Sequence, residues 1–364
     1  MASQPRPQPR QCIADLADYP LGAPITDASL TLSHLDNNEH WLSPSPKVIE
    51  AITHAAGSAN YYSEGSARNL RQQLAERHGL NADGIVCGNG SSELISMLCR
   101  LFCNPGDEIV VGPYSYMYFR TSAQVVDANI VMPEISSVAL DVASLAACVT
   151  ERTRIVFVDN PQNPVGVMST LEQITNLHTA LPKDVVLVLD SAYAEYVDNE
   201  HYDAGAGMVE EFDNVVMLRT FSKVHGLAGL RIGWGYFPIY MANLMHRFRQ
   251  PNNLSSLSVA AASAAMNDEL FVEQTLKHAH EARTYLADGL TALGFAPYPS
   301  QTNFVLAKIP EGCSLNAKQI DSTLRSQGVM IRSMAGYHLP DHIRITVAEY
   351  DHIDRTLDAI RALI

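Results

Sequence analysis

From about residue 84 the chain alternates short apolar, β-branched runs with longer amphipathic stretches. The runs are Gly84–Gly88, Glu108–Gly112, Asn129–Met132, Arg154–Asp159, Val185–Asp190, Asn214–Arg219 and Leu230–Gly235. They lack the polar alternation of a half-exposed strand, so both faces of each strand should be buried. That is the pattern of a mostly parallel sheet covered by helices. The last run follows its predecessor after only about ten residues. A right-handed helical crossover needs more chain, so this strand is expected to enter antiparallel. Beyond about residue 255 the texture changes to an Ala-rich helical stretch, Ser258–Met266 and on through Phe271–Leu293. Candidate strands follow at Asn303–Lys308, Val329–Arg332 and His342–Val347, with helices at Asn316–Gln327 and Ile353–Leu363. The expected organisation is an N-terminal tail and arm (1–40), a large α/β domain with a seven-stranded sheet (41–255) and a small α+β domain (256–364). The first dozen residues, rich in Pro, Gln and Arg, are expected to be a mobile tail.

Ligands of open α/β sheets bind at the carboxyl ends of the strands, so the residues just after each run carry the chemistry. After the first run stands Gly88-Asn89-Gly90-Ser91-Ser92-Glu93, followed by a helical stretch. Small residues at a helix N-terminus present N–H groups and hydroxyls to an anion, although Ser92 could equally be a plain N-cap. After the fourth run comes Asn160-Pro161-Gln162-Asn163-Pro164-Val165-Gly166, a loop stiffened by two prolines that can orient an amide. The fifth run ends in the carboxylate of Asp190, followed by Ser191-Ala192-Tyr193. A charge at the end of a buried strand is costly unless it meets a cation or serves as a cap. The sixth run leads into Thr220-Phe221-Ser222-Lys223 and then a Gly-punctuated segment ending at Arg231. Of the six lysines only Lys223 cannot be read as a solvated surface charge. Burial and neighbouring cations would lower its pKa and make it a Schiff-base amine.

Composition narrows the field. The 364 residues carry 25 Lys+Arg against 39 Asp+Glu, a formal net charge of −14, which disfavours nucleic acid as a partner but permits a small anion in a local cationic pocket. Apolar residues make up 47% of the chain, too many for disorder. No apolar run approaches the roughly 18 residues of a membrane span, so no membrane contact is expected. The six cysteines form no C-x-x-C pair and have no His at zinc spacing, so no metal is expected. A cytoplasmic protein is the default.

Taken together, these residues could hold a phosphate, a protonated ring nitrogen and a phenolic oxygen beside an amine, which are the demands of pyridoxal phosphate. NPQNPVG, LDSAYAEY and RTFSKVHGLAGLRIGWG resemble the class I/II aminotransferases of the fold-type-I pyridoxal-phosphate superfamily. The nearest likeness is to histidinol-phosphate aminotransferases, through Asn38-Glu39 ahead of Pro44-Ser45-Pro46-Lys47, Tyr61-Tyr62, GNGSSE and the ending LPDHIRITVAEYDHIDRTLDAI. The likeness runs from about residue 30 to the end of the chain.

The resemblance implies a role for each matching residue. Lys223 would bear the cofactor and move the Cα proton, and Asp190 would keep the pyridine nitrogen protonated. Asn163 and Tyr193 would contact the ring hydroxyl. Gly90, Ser91, Ser92, Thr220, Ser222 and Arg231 would bind the phosphate. Tyr62, or failing it Tyr61, would reach that phosphate from a second subunit, which implies a homodimer with shared sites. Arg344 would pair with the substrate carboxylate, Arg332 could add a second contact, and Asn38 would lie near the substrate. Some positions depart from the family pattern. His40 and Trp41 either shape a new pocket or pack at the domain junction. The aromatic over the cofactor ring is read as Tyr116, with Tyr114 and Ser115 as alternatives. The implied reaction moves an amino group between an amino acid, or histidinol phosphate, and a 2-oxo acid. Decarboxylation, elimination, cyclisation or oxidation on the same site is the rival.

Overall fold

The computed structural model describes residues 7–17 and 30–364. Its strands are β1 (Ser33–His34), β2 (Ile85–Gly88), β3 (Glu108–Val110), β4 (Asn129–Val131), β5 (Thr153–Asp159), β6 (Val186–Asp190) and β7 (Val215–Thr220). They continue as β8 (Gly233–Tyr236), β9 (Ala296–Pro297), β10 (Phe304–Lys308), β11 (Val329–Met330), β12 (Arg332–Ser333) and β13 (His342–Thr346). Seven of them form one sheet in the order β2-β8-β7-β6-β5-β3-β4. All neighbours in it are parallel except β8, which runs antiparallel to both β2 and β7. Its start shifts from the expected Leu230 to Gly233, because Ala228–Leu230 forms a tight turn and Arg231 is left-handed at φ 52.

The apolar runs work as expected of a two-sided sheet. Ile155, Phe157, Val186, Val188, Val216 and Leu218 pack on one face. Val156, Val158, Leu187, Leu189, Val215 and Met217 pack on the other. Each such side chain contributes roughly 1.5–3 kcal/mol on burial, so this double layer fixes where the strands end. The helix Leu171–Ala180 starts on a capping box, Thr170 with Gln173, and the helix Pro46–Ala56 has Ser45 as N-cap and Pro46 in its first turn.

The small domain holds a four-stranded antiparallel sheet, β12-β13-β10-β9. Three expectations need correction. The run Val329–Arg332 is not one strand: β11 pairs in parallel with β1, and β12 pairs with β13 in the other sheet. The boundary at 255/256 falls too early, because the helix Ser256–Met266 buries Ala261, Ala262, Ala265 and Met266 in the large-domain core. Ser33–His34 and Leu35, assigned to an arm, belong with the small domain, whose core includes Leu35. Of the expected tail, residues 1–6 lie outside the described residues, while Gln11–Ala14 form a helical turn and Arg10 donates to the Val125 carbonyl at 3.1 Å.

Candidate active site

The carboxyl ends of β2, β5, β6 and β7 surround a cavity of about 310 Å³. The anion corner is built first by the backbone. Gly90, at φ 76, precedes the helix Ser91–Phe102, whose first residues Ser91 and Ser92 line the cavity. A Cβ on Gly90 would stand 2.6 Å from Arg231 Nη2, and one on Gly233 would stand 2.5 Å from the Ser91 nitrogen. The two glycines therefore let the arginine and the helix N-terminus close on one spot. Thr220 Oγ1 donates to Ser222 Oγ at 3.0 Å and accepts from the Ser222 N–H at 3.1 Å, adding hydroxyls on the same side.

Asp190 closes the far end. It is 4% exposed, and its Oδ1 has no hydrogen-bond partner. Burial, with Asp159 beside it, pushes its carboxyl from the ordinary 3.8 up to about 7. An orphaned buried carboxylate oxygen of this kind calls for a cationic N–H donor. Lys223 sits between the two ends, with Nζ donating to the Asn38 carbonyl at 3.1 Å. Burial, and after it Arg344, lowers its ammonium from 10.5 to about 8, so a substantial fraction is neutral amine near pH 8.

The walls are oriented from outside. Tyr193 is buried, its hydroxyl accepts from Asn38 Nδ2 at 2.9 Å, and Lys223 Nζ stands 5.6 Å from its ring centroid. Asn163 Oδ1 accepts from Arg344 Nη1 at 2.7 Å, leaving Nδ2 as the end able to donate to a ligand oxygen. Of the three candidates for the ring-stacking position, Tyr116 lines the cavity. Ser115 is buried against Gly112, and Tyr114 packs in a separate apolar cluster with Val165 and Leu306.

The other expected residues lie further out. Arg344, on β13, is buried beside Asn163, with Nη2 donating to the Asp36 carbonyl at 3.0 Å and its guanidinium 5.1 Å from the Phe304 ring centroid. Asn38 spends its side chain on Tyr193 and Thr346 rather than on the cavity wall. Arg332 reaches Asn37 Oδ1 at 3.3 Å, and Asn37 is itself a wall residue. His40 does not enter the cavity. Its Nε2 pairs with Thr275 Oγ1 at 3.0 Å and its ring stacks on Trp41 and Phe271, so the packing alternative describes it. Tyr61 and Tyr62 are 73% and 88% exposed and stand away from the cavity of their own chain.

Two polar wall residues escaped the sequence reading, Asn37 and Asp159, while Glu39 entered it only within the Asn38-Glu39 motif. Asp159 ends β5 as Asp190 ends β6, and the two are register partners. The signal is the same at both positions: a carboxylate that closes an apolar run.

A parallel-sheet large domain, an antiparallel small domain and a buried lysine at the strand ends define a fold-type-I transferase. Residues 30–360 match the family model "Aminotransferase class I and II", and the chain belongs to that family. It is 37% identical to the histidinol-phosphate aminotransferase of Rhodospirillum rubrum, over 98% of this chain and 97% of the relative. It is 39% identical to that of Ruegeria sp. TM1040, over 95% and 94% of the two chains. Among solved structures, the histidinol-phosphate aminotransferase from Sinorhizobium meliloti, crystallised in complex with pyridoxal-5'-phosphate, superposes with a TM-score of 0.83. That pair shares 29% identity over 91% of each chain.

Proposed function

We propose that this chain is a pyridoxal-phosphate-dependent aminotransferase that moves an amino group between an amino acid, or an amino-alcohol phosphate such as histidinol phosphate, and a 2-oxo acid. One observation carries the reading: the buried amine of Lys223 lies in one cavity with the unpartnered carboxylate oxygen of Asp190 and the glycine-framed anion corner. These residues fit the cofactor at both of its ends. When bound, pyridoxal phosphate supplies an aldehyde that condenses with amines and a pyridinium ring that accepts the electron pair of a broken Cα–H bond.

The protein's share is positioning and proton transfer. Ser91, Ser92, Thr220, Ser222 and Arg231 hold the phosphate, with Gly90 keeping the corner open. Asp190 accepts the ring N–H and so maintains its positive charge. Asn163 and Tyr193 bond the ring oxygen, and Tyr116 supplies a flat wall against the ring. Lys223 would hold the cofactor at rest, and its neutral amine would carry the proton away from Cα. Arg344 offers its fork to the substrate carboxylate or phosphate, with Arg332 near the mouth.

The exposed Tyr62, with Tyr61 as second choice, reaches the phosphate of a second copy in a homodimer with shared sites. A cytoplasmic location suits six cysteines of which none is paired. Family membership and the relatives favour transamination over decarboxylation, elimination, cyclisation or oxidation. The test is a spectral screen of the holoenzyme with candidate donors, histidinol phosphate included. Conversion of the Schiff-base absorbance to the pyridoxamine form supports the reading. Release of carbon dioxide or ammonia without that conversion overturns it.

A further inference from the structure

Asp159 is 7% exposed, lines the cavity and is the register partner of Asp190 on the adjacent parallel strand. Two buried carboxylates side by side repel each other, and the raised pKa values of both, about 6 for Asp159 and about 7 for Asp190, reflect burial first. A loop cap alone does not require that cost, because a neutral side-chain oxygen also accepts backbone N–H groups. What Asp159 does with its charge is specific. Its Oδ2 accepts from the Tyr116 N–H at 3.0 Å and from the Asn163 N–H at 2.9 Å. Those two residues sit on different loops, one after β3 and one after β5, and both are walls of the cavity. A second, weaker tie joins the same loops, Gln162 Nε2 to the Tyr114 carbonyl at 3.4 Å.

We propose that Asp159 is a positioning residue for the cofactor: through one carboxylate oxygen it fastens the aromatic wall at Tyr116 and the amide at Asn163 to the strand end beside Asp190. Hydrogen bonds to an ionised acceptor are shorter and stronger than neutral ones, which suits a tie that must hold two loops in register with a flat ligand. The assignment rests on the proposed cofactor function and adds to it a residue that does not touch the reacting atoms.

The experiment compares the full-length parent with Asp159→Ala and Asp159→Asn, measuring the dissociation constant for pyridoxal phosphate and the visible circular dichroism of the bound cofactor. Loss of two charge-assisted bonds should weaken binding by Asp159→Ala at least about tenfold and reduce the dichroic band, which reports ring orientation. Asn Oδ1 can accept the same two N–H groups but without the charge, so Asp159→Asn should bind about threefold more weakly than the parent, well short of the alanine's loss, and keep the band. Parent-like binding and dichroism in Asp159→Ala overturn the proposal, as does an Asp159→Asn variant impaired as severely as the alanine. If the alanine variant does not fold, Asp159→Asn decides alone: retention of affinity and band supports the tie, and their loss refutes it. A parent that takes up no pyridoxal phosphate overturns the functional reading itself, and this assignment with it.

Discussion

Replacing Asp190 by Asn should move stability and activity in opposite directions. In the cofactor-free chain the carboxyl is buried, has an unpartnered oxygen and is raised from 3.8 to about 7. A raised acid pKa means the folded chain holds the proton more tightly than the unfolded chain. The group is therefore neutral to stability below pH 4 and increasingly costly as pH climbs from about 4 through about 7. At about 1.36 kcal/mol per unit, the cost above pH 7 is roughly 4 kcal/mol. Asparagine has no such titration, so cofactor-free Asp190→Asn should be the more stable chain at pH 8, with the advantage vanishing near pH 4. In the holoenzyme the same change would remove the partner proposed for the ring N–H, at a cost of roughly 3–5 kcal/mol, or two to four orders of magnitude in kcat. The assays are urea denaturation of the cofactor-free proteins at the two pH values and steady-state turnover. A variant less stable than the parent at pH 8, or one retaining parental turnover, would refute the reasoning.

Further outcomes follow from the other parts of the site. With Lys223 lowered to about 8 by burial and then by Arg344, the rate of pyridoxal phosphate capture should rise with pH through a midpoint near 8 and level off roughly a unit above it; stopped-flow absorbance showing a midpoint near 10 would contradict this. Gly90→Ala puts a methyl 2.6 Å from Arg231 Nη2 at a residue of φ 76, so cofactor affinity by equilibrium dialysis should fall more than about tenfold, from strain of roughly 1–3 kcal/mol plus displacement of the arginine. Mixing inactive Lys223→Ala with Tyr62→Ala chains should regenerate activity, because a hybrid dimer contains one site with both residues intact. Additive activities after subunit exchange would rule out sharing through Tyr62.

The large domain was legible because its strands are buried on both faces, and such strands write unbroken Val/Ile/Leu runs into the sequence. Val329–Arg332 shows the limit of that signal: three apolar residues lead into Arg332, yet Val329–Met330 and Arg332 serve different sheets, and only the partners β1 and β13 reveal the break. The positions of Asp190 and Lys223 could be read locally, since Asp190 closes an apolar run and Lys223 lies a few residues beyond the next one. His40 could not, because its partner Thr275 is 235 positions away. The helix Ser256–Met266 looked like the start of a new domain by composition, but its alanines fill gaps in the first core.

Asn38 is held by two residues of each domain. Its carbonyl accepts from Lys223 and from Asn303, its side chain donates to Tyr193, and its N–H donates to Thr346. Lys223 and Tyr193 belong to the large domain, Asn303 and Thr346 to the small one. The balance is even only while the amine has no other work. Whenever Lys223 turns to a ligand, the segment around Asn38 keeps both small-domain partners and gives up one of its two in the large domain. The occupancy of a single nitrogen thereby decides whether this segment is shared evenly between the two halves of the molecule.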